Sequence, residues 1–217
     1  MAAAVTVVIP CLNEEGAIPG VLARIPFEYR AIVVDNGSDD ATAEVAAAEG
    51  ATVVHEPAKG YGAAVQAGID AATTDVVAVL DGDGSMDPGE LGPLVADVES
   101  GRADLAVGRR KPLRHRDWPL HARAGNALLA YRLRRRYGVP VHDIGAMRVA
   151  RKQSLLDLGP MHQRFGYPLE LLVRAGGAGW TVTEHDITYA PRTHGRSKVS
   201  GSPIGTIRVV ADFWTVR

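Results

Sequence analysis

The stretch DVVAVLDGDG, residues 75–84, decides the fold of this 217-residue chain. Its five consecutive apolar residues lead into two aspartates, Asp81 and Asp83, on either side of Gly82. An apolar run without polar alternation predicts a strand covered on both faces, which is typical of parallel sheets in α/β proteins. Ligands of such sheets bind beyond the carboxyl ends of the strands, so we expect both aspartates to face a binding site.

The sequence around this strand alternates short β-branched runs with Ala-rich helical segments. Strands are predicted at residues 5–9, 31–35, 51–55, 76–81 and 104–107. Helices are predicted near residues 14–24, 40–49, 62–72 and 89–99. Beyond residue 120 the pattern loosens, and we expect helices at 121–136, 151–158 and 167–175 and strands at 144–150 and 180–187. The predicted fold class is α/β, with a mostly parallel sheet flanked by helices on both faces.

The length and composition are those of one globular domain with a short appendage. A chain of this size, 46% hydrophobic, can bury a core without disulfides or structural zinc. Cys11 is the only cysteine, which excludes an intramolecular disulfide and suits a reducing compartment. The apolar start lacks a basic n-region, and no apolar run reaches the roughly 18 residues that cross a bilayer. We therefore expect a cytoplasmic protein with no membrane span.

Charge is distributed unevenly, although the formal net charge is only −1. Residues 1–101 carry 3 basic and 17 acidic side chains, whereas residues 102–136 carry 11 basic and 2 acidic ones. This polarity favours cation and nucleotide handling in the first half and an anionic partner in the second, with a solvated charged face as the alternative. Nucleic acid fits poorly, because no binding motif is found and the pI is near 6.7.

The Asp81–Gly82–Asp83 segment has the chemistry of a divalent-cation site. Gly82 permits a turn that brings both carboxylates to one cation, and Ser85 offers a further oxygen. Mg²⁺ and Mn²⁺ prefer oxygen ligands and commonly bind through one or two carboxylates and the phosphates of a substrate. The alternative is a simple Asx turn at the end of a strand.

A second polar segment, VVDNGS at residues 33–38, ends a predicted strand with Asp35 and opens a helix. Its carboxylate and the unsatisfied amides of the helix suit hydrogen bonds to a nucleobase or ribose, with helix capping as the alternative. Gly60 and Gly62 suggest a dinucleotide loop. Because Val65 stands where the third glycine belongs, the sequence does not favour a Rossmann oxidoreductase.

Seven segments become informative when their order and spacing are considered together. They are PCLNEE (10–15), VDNGS (34–38), DGD (81–83), GRR (108–110), DIGAMR (143–148), YPLE (167–170) and RTHGRSK (192–198). The first three resemble glycosyltransferase family 2. The last four resemble its small branch of dolichol-phosphate and polyprenyl-phosphate sugar synthases, and the match covers nearly the whole chain.

The resemblance implies a GT-A fold in a single domain. Residues 1–108 would be the nucleotide-sugar and metal-binding half, residues 109–202 the acceptor-side half, and residues 203–217 an amphipathic tail helix. The implied activity is metal-dependent inverting transfer of a sugar from a UDP- or GDP-sugar to a polyprenyl-phosphate acceptor, with Mg²⁺ or Mn²⁺ as cofactor. A soluble hydroxyl acceptor is the alternative, and a nucleotide-sugar binding module or a nucleotidyltransferase is a third one.

The resemblance also implies roles for the residues at matching positions. The nucleotide would contact Pro10, Asn13, Glu14, Asp35, Asn36 and Asp81. The metal ligands would be Asp81, Asp83 and Ser85. The residues meeting phosphates or the acceptor would be Arg110, Lys198, Arg123, Arg192 and Ser197.

Three positions depart from the family pattern. Asn36 replaces the usual second aspartate, and Tyr61 replaces the usual lysine between glycines. Both changes remove a charge near the nucleotide, which leaves the identity of the base open. Ser85 stands where the synthases often have glutamine, which leaves the third protein ligand of the metal open.

The acceptor decides whether a catalytic base is needed. A lipid phosphate is already anionic at neutral pH, whereas a hydroxyl group must lose a proton to attack. Asp143 and Glu170 are the candidate bases. The alternative role of Glu170 is structural capping, since it can open a helix. A similar structural role is the alternative for Asp143.

The predicted helix 121–136 carries Ala124, Ala127, Leu128 and Tyr131 on one face, with arginines beside them. Core packing and docking to an anionic membrane surface both explain such a face. The predicted tail helix allows the same two explanations, and basic side chains near an anionic leaflet would strengthen docking. Docking would place the protein peripherally at the cytoplasmic face of the membrane.

Overall fold

Strands and helices alternate through residues 5–114, 120–145, 147–192 and 194, the part of the chain that the computed structural model describes. The strands are β1 (Val5–Cys11), β2 (Tyr29–Asp35), β3 (Thr52–His55), β4 (Val76–Val79), β5 (Leu105–Pro112), β6 (Arg148–Arg151) and β7 (Val182–Tyr189). The α-helices are α1 (Ile18–Leu22), α2 (Thr42–Ala48), α3 (Tyr61–Ala71), α4 (Leu91–Glu99), α5 (Leu120–Tyr137), α6 (Lys152–Asp157) and α7 (Tyr167–Gly177).

The strands form one sheet in the order β3-β2-β1-β4-β6-β5-β7. Only β6, among these strands, runs against the others, since it pairs antiparallel with both β4 and β5. The remaining pairs are parallel. The carboxyl ends of six strands and the amino end of β6 therefore meet at one edge, which we call the site edge. The predicted α/β class with a mostly parallel sheet is confirmed.

Apolar side chains fill two cores, one on each face of the sheet. One core joins the strands to α3, α5, α6 and α7, and the other joins them to α1, α2 and α4. Neighbouring strand residues point to opposite faces. Val77 therefore lies in the first core and Ala78 in the second, both almost fully buried. This two-sided burial is what the continuous apolar runs predict.

Several element boundaries differ from the prediction. The strand β4 ends at Val79, so Asp81 lies in the loop that follows. The helix α1 is shorter than predicted and begins only at Ile18, after a turn in which Glu14 O accepts the Ile18 N–H. The strand β5 continues to Pro112 because its whole length pairs with β7, so the basic residues after Gly108 lie in a strand. The predicted tail helix lies outside the described residues.

Candidate active site

Hydrogen bonds tie the loop after β1 to the loop after β2 at the site edge. The Asn13 N–H donates to Ser38 Oγ at 2.9 Å, and Asn13 Oδ1 accepts from the Asp39 N–H at 2.8 Å. The Glu14 N–H donates to Thr42 Oγ1 at 2.8 Å. Asn13 has a φ of 53°, a left-handed conformation that asparagine adopts more readily than most residues. Asn13 and Glu14, both predicted to contact the nucleotide, thus belong to one cross-linked loop pair.

Asp35 ends β2 with a carboxylate held by its neighbours. Its Oδ1 accepts from the Ser38 N–H at 3.1 Å, and its Oδ2 lies 3.3 Å from His55 Nδ1. Burial alone would raise the pKa of Asp35, but the hydrogen bonds from Ser38 and His55 outweigh burial and lower it. The carboxylate is therefore an anionic hydrogen-bond acceptor at neutral pH, next to the Asn13 loop.

The side chain of Asn36 holds the backbone of the β3–α3 loop. Its Nδ2 donates to the carbonyl oxygens of Glu56 and Ala58, each at 2.9 Å, and its Oδ1 accepts from the Gly60 N–H at 2.7 Å. These bonds fix the loop that leads into Tyr61 at the start of α3. Asn36 therefore has a structural task here besides its predicted contact with the nucleotide.

The loop after β4 brings Asp83 and Ser85 to the site edge, both almost fully buried. Asp83 Oδ1 accepts from the Ser85 N–H at 2.9 Å. The left-handed conformation in this loop belongs to Gly84, with a φ of 73°. Gly82 is required by a close approach to β1, since a Cβ there would lie 2.5 Å from Cys11 Sγ.

Asp81 lies close to Tyr61 and Arg148 at the floor of the site. The residue is half-buried, but its Oδ1 is shielded from solvent and has no hydrogen-bond partner. Burial and the charge of Asp83 raise the pKa of Asp81, against the opposing charges of Arg148 and Arg192. Arg148 is 3% exposed, and its Nε and Nη1 also lack hydrogen-bond partners. Unpaired buried atoms of this kind are expected where a further polar ligand binds.

Two tyrosines, Tyr61 of α3 and Tyr167 of α7, lie near Asp81 and Arg148. The rings of Tyr61 and Tyr167 meet edge-on, with centroids 6.4 Å apart. Burial raises the pKa of both phenols, that of Tyr167 to about 12. Tyr61, which stands where the family usually has lysine, is therefore neutral and brings no positive charge to Asp81.

The segment after β7 reaches the site edge, and we call its described residues, 190–192 and 194, the strap. The Ala190 N–H donates to Ser85 O at 2.9 Å, which attaches the strap to the β4 loop. At its other end His194 packs on Gly16 of the β1 loop, where a Cβ would come within 2.9 Å of the imidazole ring. The strap thus contacts the loop after β4 and the loop after β1, and these two strands are parallel neighbours in the sheet.

Arg192, in the strap, forms ion pairs with acidic residues of both loops. Its Nη2 lies 3.0 Å from Asp83 Oδ2 and its Nη1 lies 3.6 Å from Glu14 Oε1. The side chain of Arg192 is 26% exposed, against 6% for Asp83 and 10% for Glu14. A guanidinium group thus neutralises carboxylates from the predicted metal and nucleotide sites together.

On the other side of the site, Arg110 of β5 pairs with Asp143. Arg110 Nε and Nη2 donate to the two carboxylate oxygens of Asp143 at 2.8 and 2.7 Å. Burial would lower the pKa of Arg110, but the hydrogen bonds and charge of Asp143 raise it. The Arg110 guanidinium also lies 5.5 Å from the ring centroid of Tyr189. Asp143 itself is held by a bond from its N–H to Glu184 Oε1 at 3.0 Å.

Both carboxylate oxygens of Glu170 have hydrogen-bond partners near the start of α7. Its Oε1 accepts from Arg174 Nε at 2.9 Å, and its Oε2 accepts from the His162 N–H. Within the described ranges, no hydrogen bond or ion pair joins Glu170 to the aspartates of the β4 loop. The two candidate bases are therefore placed differently, with Asp143 beside Arg110 and Glu170 at the start of a helix.

The helix α5 buries one face and exposes the other. Ala130 and Leu133 are almost fully buried, whereas Leu128 is 60% and Tyr131 is 52% exposed. Core packing is therefore the wrong explanation for Leu128 and Tyr131. Arg123 is half-buried on this helix, and the contacts of the described residues do not connect it to Asp83. In the described part of the chain, no helix has both the length and the hydropathy to span a bilayer.

Two predicted site residues, Ser197 and Lys198, lie outside the described residues. Pro10 precedes the last residue of β1, beside Val34 of β2. The roles of all these residues stay predictions.

The donor atoms at the β4 loop fit a divalent cation. Asp81 Oδ1 is an unpaired carboxylate oxygen, and Asp83 Oδ2 already binds a cationic group, that of Arg192. Across the described ranges, no three acidic, histidine or cysteine side chains lie close enough together to hold an ion. This donor set suits a cation that takes its remaining ligands from phosphates and water.

Polar side chains gather at the carboxyl ends of a mostly parallel sheet, where enzymes of the α/β class bind their ligands. The family model of Glycosyl transferase family 2 matches residues 6–159. This span is more than half of the chain, so the chain belongs to glycosyltransferase family 2.

Proteins of related sequence agree with this family. An uncharacterized glycosyltransferase of Mycobacterium tuberculosis is 60% identical over 213 residues, which cover 98% of this chain and 97% of the relative. Polyprenol monophosphomannose synthase of Mycolicibacterium smegmatis is 34% identical, covering 97% of this chain and 86% of the relative.

A solved structure of related fold is glucosyl-3-phosphoglycerate synthase from Mycobacterium tuberculosis in complex with Mn²⁺, UDP and glucosyl-3-phosphoglycerate. It superposes with a TM-score of 0.75 at 26% identity and covers 97% of this chain and 78% of that chain. Both comparisons agree with the predicted family and GT-A fold.

Arg148 and Tyr189, which lie near Asp81 and Arg110, had no predicted role. Arg148 ends the DIGAMR segment and begins β6, so its place in that segment was the available signal. Tyr189 ends β7 at the site edge, just as Asp35 ends β2. Its position becomes meaningful only when the direction of β7 is known.

Proposed function

We propose that this glycosyltransferase moves a sugar from a nucleoside diphosphate to a polyprenyl-phosphate acceptor, with inversion at the anomeric carbon. The observation that carries the proposal is that arginines engage both candidate bases. Asp143 accepts from Arg110, and Glu170 accepts from Arg174. An acceptor that is already anionic needs no base, which suits a phosphate better than a hydroxyl group.

The donor would lie across the carboxyl ends of β1, β2 and β4. Asp35 is anionic and lies next to the Asn13 loop, which suits hydrogen bonds to the ribose or base of UDP or GDP. Asp81 and Asp83 would meet the diphosphate through Mg²⁺ or Mn²⁺, with Ser85 at the same loop. When bound there, the cation supplies Lewis-acid stabilisation of the negative charge that develops on the leaving group.

Arg110 would supply a fixed positive charge on the acceptor side. Its guanidinium group is oriented by Asp143 and by the Tyr189 ring, so little reorganisation is needed when a phosphate arrives. Such preorganised charges, together with the positioning of the two substrates, supply much of the catalysis in group transfer. We assign the same phosphate-binding role to Lys198 and Ser197 on the resemblance alone.

The surface beside this site suits an acceptor anchored in a membrane. The exposed stripe of α5 carries Leu128 and Tyr131, and the same helix ends in Arg134, Arg135 and Arg136. Apolar side chains next to arginines favour an interface with anionic lipids, where each exposed basic residue contributes about 1 kcal/mol. The name of the polyprenol monophosphomannose synthase relative supports the same class of acceptor.

A soluble phosphorylated acceptor is the second candidate. It is favoured by the similarity to glucosyl-3-phosphoglycerate synthase, which has been crystallised with phosphoglyceric acid. Attack by a hydroxyl group would then require Asp143 to leave Arg110 and accept a proton.

The test supplies radiolabelled UDP- and GDP-sugars with Mn²⁺ and a short-chain polyprenyl phosphate, with phosphoglyceric acid as the competing acceptor. We expect label in the organic phase, and none after Asp83→Asn or with chelator. Label only in an aqueous phosphoglycerate product would replace the proposal by the second candidate. Absence of transfer from any donor would contradict both.

A further inference from the structure

We infer that Arg192 is an internal competitor of the divalent cation. Its guanidinium group takes the place of a cation on Asp83 until the metal binds, and it must move aside when the metal binds. This inference rests on the proposed metal-dependent function and deepens it. It makes Arg192 a positioning residue that couples cation binding to the strap.

The geometry shows that Arg192 and a cation would share one ligand atom. Arg192 Nη2 lies 3.0 Å from Asp83 Oδ2, within hydrogen-bond distance. The other oxygen of Asp83 accepts from the Ser85 N–H at 2.9 Å. A cation that binds Asp83 through Oδ2 would therefore lie next to the Arg192 guanidinium group, and the repulsion between the two positive charges would favour departure of Arg192.

The charges at the site point the same way. Arg192 contacts Asp83 and Glu14 and acts electrostatically on Asp81, so three carboxylates feel its charge. Arg110 and Arg148 face one of these carboxylates, Asp81, from other elements, and Arg148 is close enough to lower its pKa. A divalent cation at Asp83 would be repelled by Arg192, which contacts the same carboxylate directly.

The strap allows this exchange without unfolding. Its backbone is bonded to Ser85 at Ala190, and His194 packs on Gly16. Because Ala190 and His194 have these contacts, we expect the Arg192 side chain to leave Asp83 while both neighbours stay at the site edge. The displaced guanidinium group then remains near the incoming phosphates, for which its planar fork is well suited.

The inference predicts effects of opposite sign when Arg192 is replaced. Arg192→Gln removes the competitor, so Mn²⁺ alone should bind more tightly, with a Kd lower by roughly three- to tenfold. The same substitution removes a phosphate partner, so UDP or GDP should bind more weakly in saturating Mn²⁺. A residue that only stabilises the loops would weaken both kinds of binding.

The measurement is a titration of free Mn²⁺ by electron paramagnetic resonance, first without nucleotide and then with UDP or GDP. Arg192→Met is the second removal variant, since it keeps the aliphatic stem if glutamine unfolds the loop. Arg192→Lys keeps the positive charge, so its Kd for Mn²⁺ should be close to that of the wild type and higher than that of the removal variants. Arg102→Gln is the matched control, since it removes an arginine paired with Asp97, away from the site. Circular dichroism melting checks that every variant is folded.

The outcomes separate the two claims. Tighter Mn²⁺ binding by a folded removal variant, with Arg102→Gln unchanged, supports the inference. Unchanged or weaker Mn²⁺ binding by the folded removal variants overturns it, even if the wild type uses Mn²⁺ for transfer. If the wild type binds no Mn²⁺ with either nucleotide, the metal-dependent function itself fails and the inference fails with it.

Discussion

Arg110 and Asp143 are joined by three hydrogen bonds, because the Arg110 backbone N–H donates to the same Asp143 Oδ2 that accepts from its Nε, both at 2.8 Å. The carboxylate therefore fixes the strand β5 as well as the guanidinium group. Asp143 is 2% exposed, whereas the Arg110 side chain is 21% exposed and can still meet a ligand. A buried, bidentate pair of this kind is a rigid support for whatever Arg110 binds.

Replacing Asp143 by Asn tests whether this carboxylate positions Arg110 or acts as a base. We expect kcat/KM to fall by roughly 10- to 100-fold, mainly through the KM of the acceptor, because Arg110 loses its support. The pH dependence of kcat should keep its shape. Steady-state kinetics across pH measure both quantities. Loss of the acidic limb in this variant would instead identify Asp143 as a base and favour a hydroxyl acceptor.

Glu170→Gln is the comparison variant. Since Glu170 bonds to Arg174 and to the backbone of His162, we expect a loss of about 1 kcal/mol in stability and little change in turnover. A large loss of turnover in a fully folded protein would return Glu170 to the list of candidate bases.

Gly82→Ala should destabilise the protein by about 1–3 kcal/mol, because its Cβ would lie 2.5 Å from Cys11 Sγ. Urea unfolding measures the change. Cys11→Ala in the same chain should recover part of the loss, since it removes the clashing sulfur. Gly92→Ala is the control: nothing lies within 4 Å of its Cβ position in α4, so a gain of about 0.5–1 kcal/mol is expected. Equal effects at both glycines would rule out the proposed clash.

Leu128→Gln together with Tyr131→Gln should weaken binding to vesicles that contain anionic lipid by roughly three- to tenfold. Both side chains are more than half exposed, so the melting temperature should stay the same. Co-sedimentation with vesicles is the measurement. Phe27→Gln, which replaces a 98% exposed side chain before β2, should leave vesicle binding unchanged. If the double variant binds vesicles as the wild type does, α5 is not the contact surface.

Asp97 should make stability depend on pH in the acidic range. The hydrogen bond from His185 and the charge of Arg102 lower the pKa of Asp97 despite its burial. A lowered carboxyl pKa in the folded state stabilises the protein above the unfolded value of about 3.9, and this stabilisation is lost as pH falls through the folded value. Asp97→Asn should therefore cost about 1 kcal/mol at pH 7, and the difference from wild type should shrink below about pH 4. Urea unfolding of wild type and Asp97→Asn at pH 7 and below about pH 4 measures the difference in their free energies of unfolding. A difference that stays constant with pH would contradict the predicted direction.

The sequence predicts the first half of the fold well because β1 and β4 are buried on both faces along almost their whole length. The runs that end at Asp35 and near Asp81 consist of apolar residues followed by polar ones, which predicts a buried strand with a binding site at its carboxyl end. The antiparallel direction of β6 could not be predicted, because its four residues, RVAR, give the same pattern of basic and apolar residues in both directions. The extension of β5 through Arg110 was also hidden, since its basic residues suggest a loop.

The site was predictable in part for a related reason. Residues such as Asp81 and Asp83 are close in sequence, so their proximity needs no knowledge of the sheet. The pair of Arg192 with Asp83 joins residues that are far apart in the chain, and it depends on where β7 ends relative to β4. Contacts of this kind follow from strand order, which the sequence alone does not reveal.

The strand order also divides the sheet by chain position. The strands β3, β2, β1 and β4 come from residues before 80, and β6, β5 and β7 come from residues after 104. The two groups meet along one boundary, between β4 and β6. A hybrid enzyme joined near Gly101 would therefore inherit the loops after β1, β2 and β4 from one parent and those around Arg110 and Asp143 from the other. The parents would have to match at the β4–β6 boundary, where α4 packs on β5 and β6, and where Arg192 reaches Asp83 and Glu14.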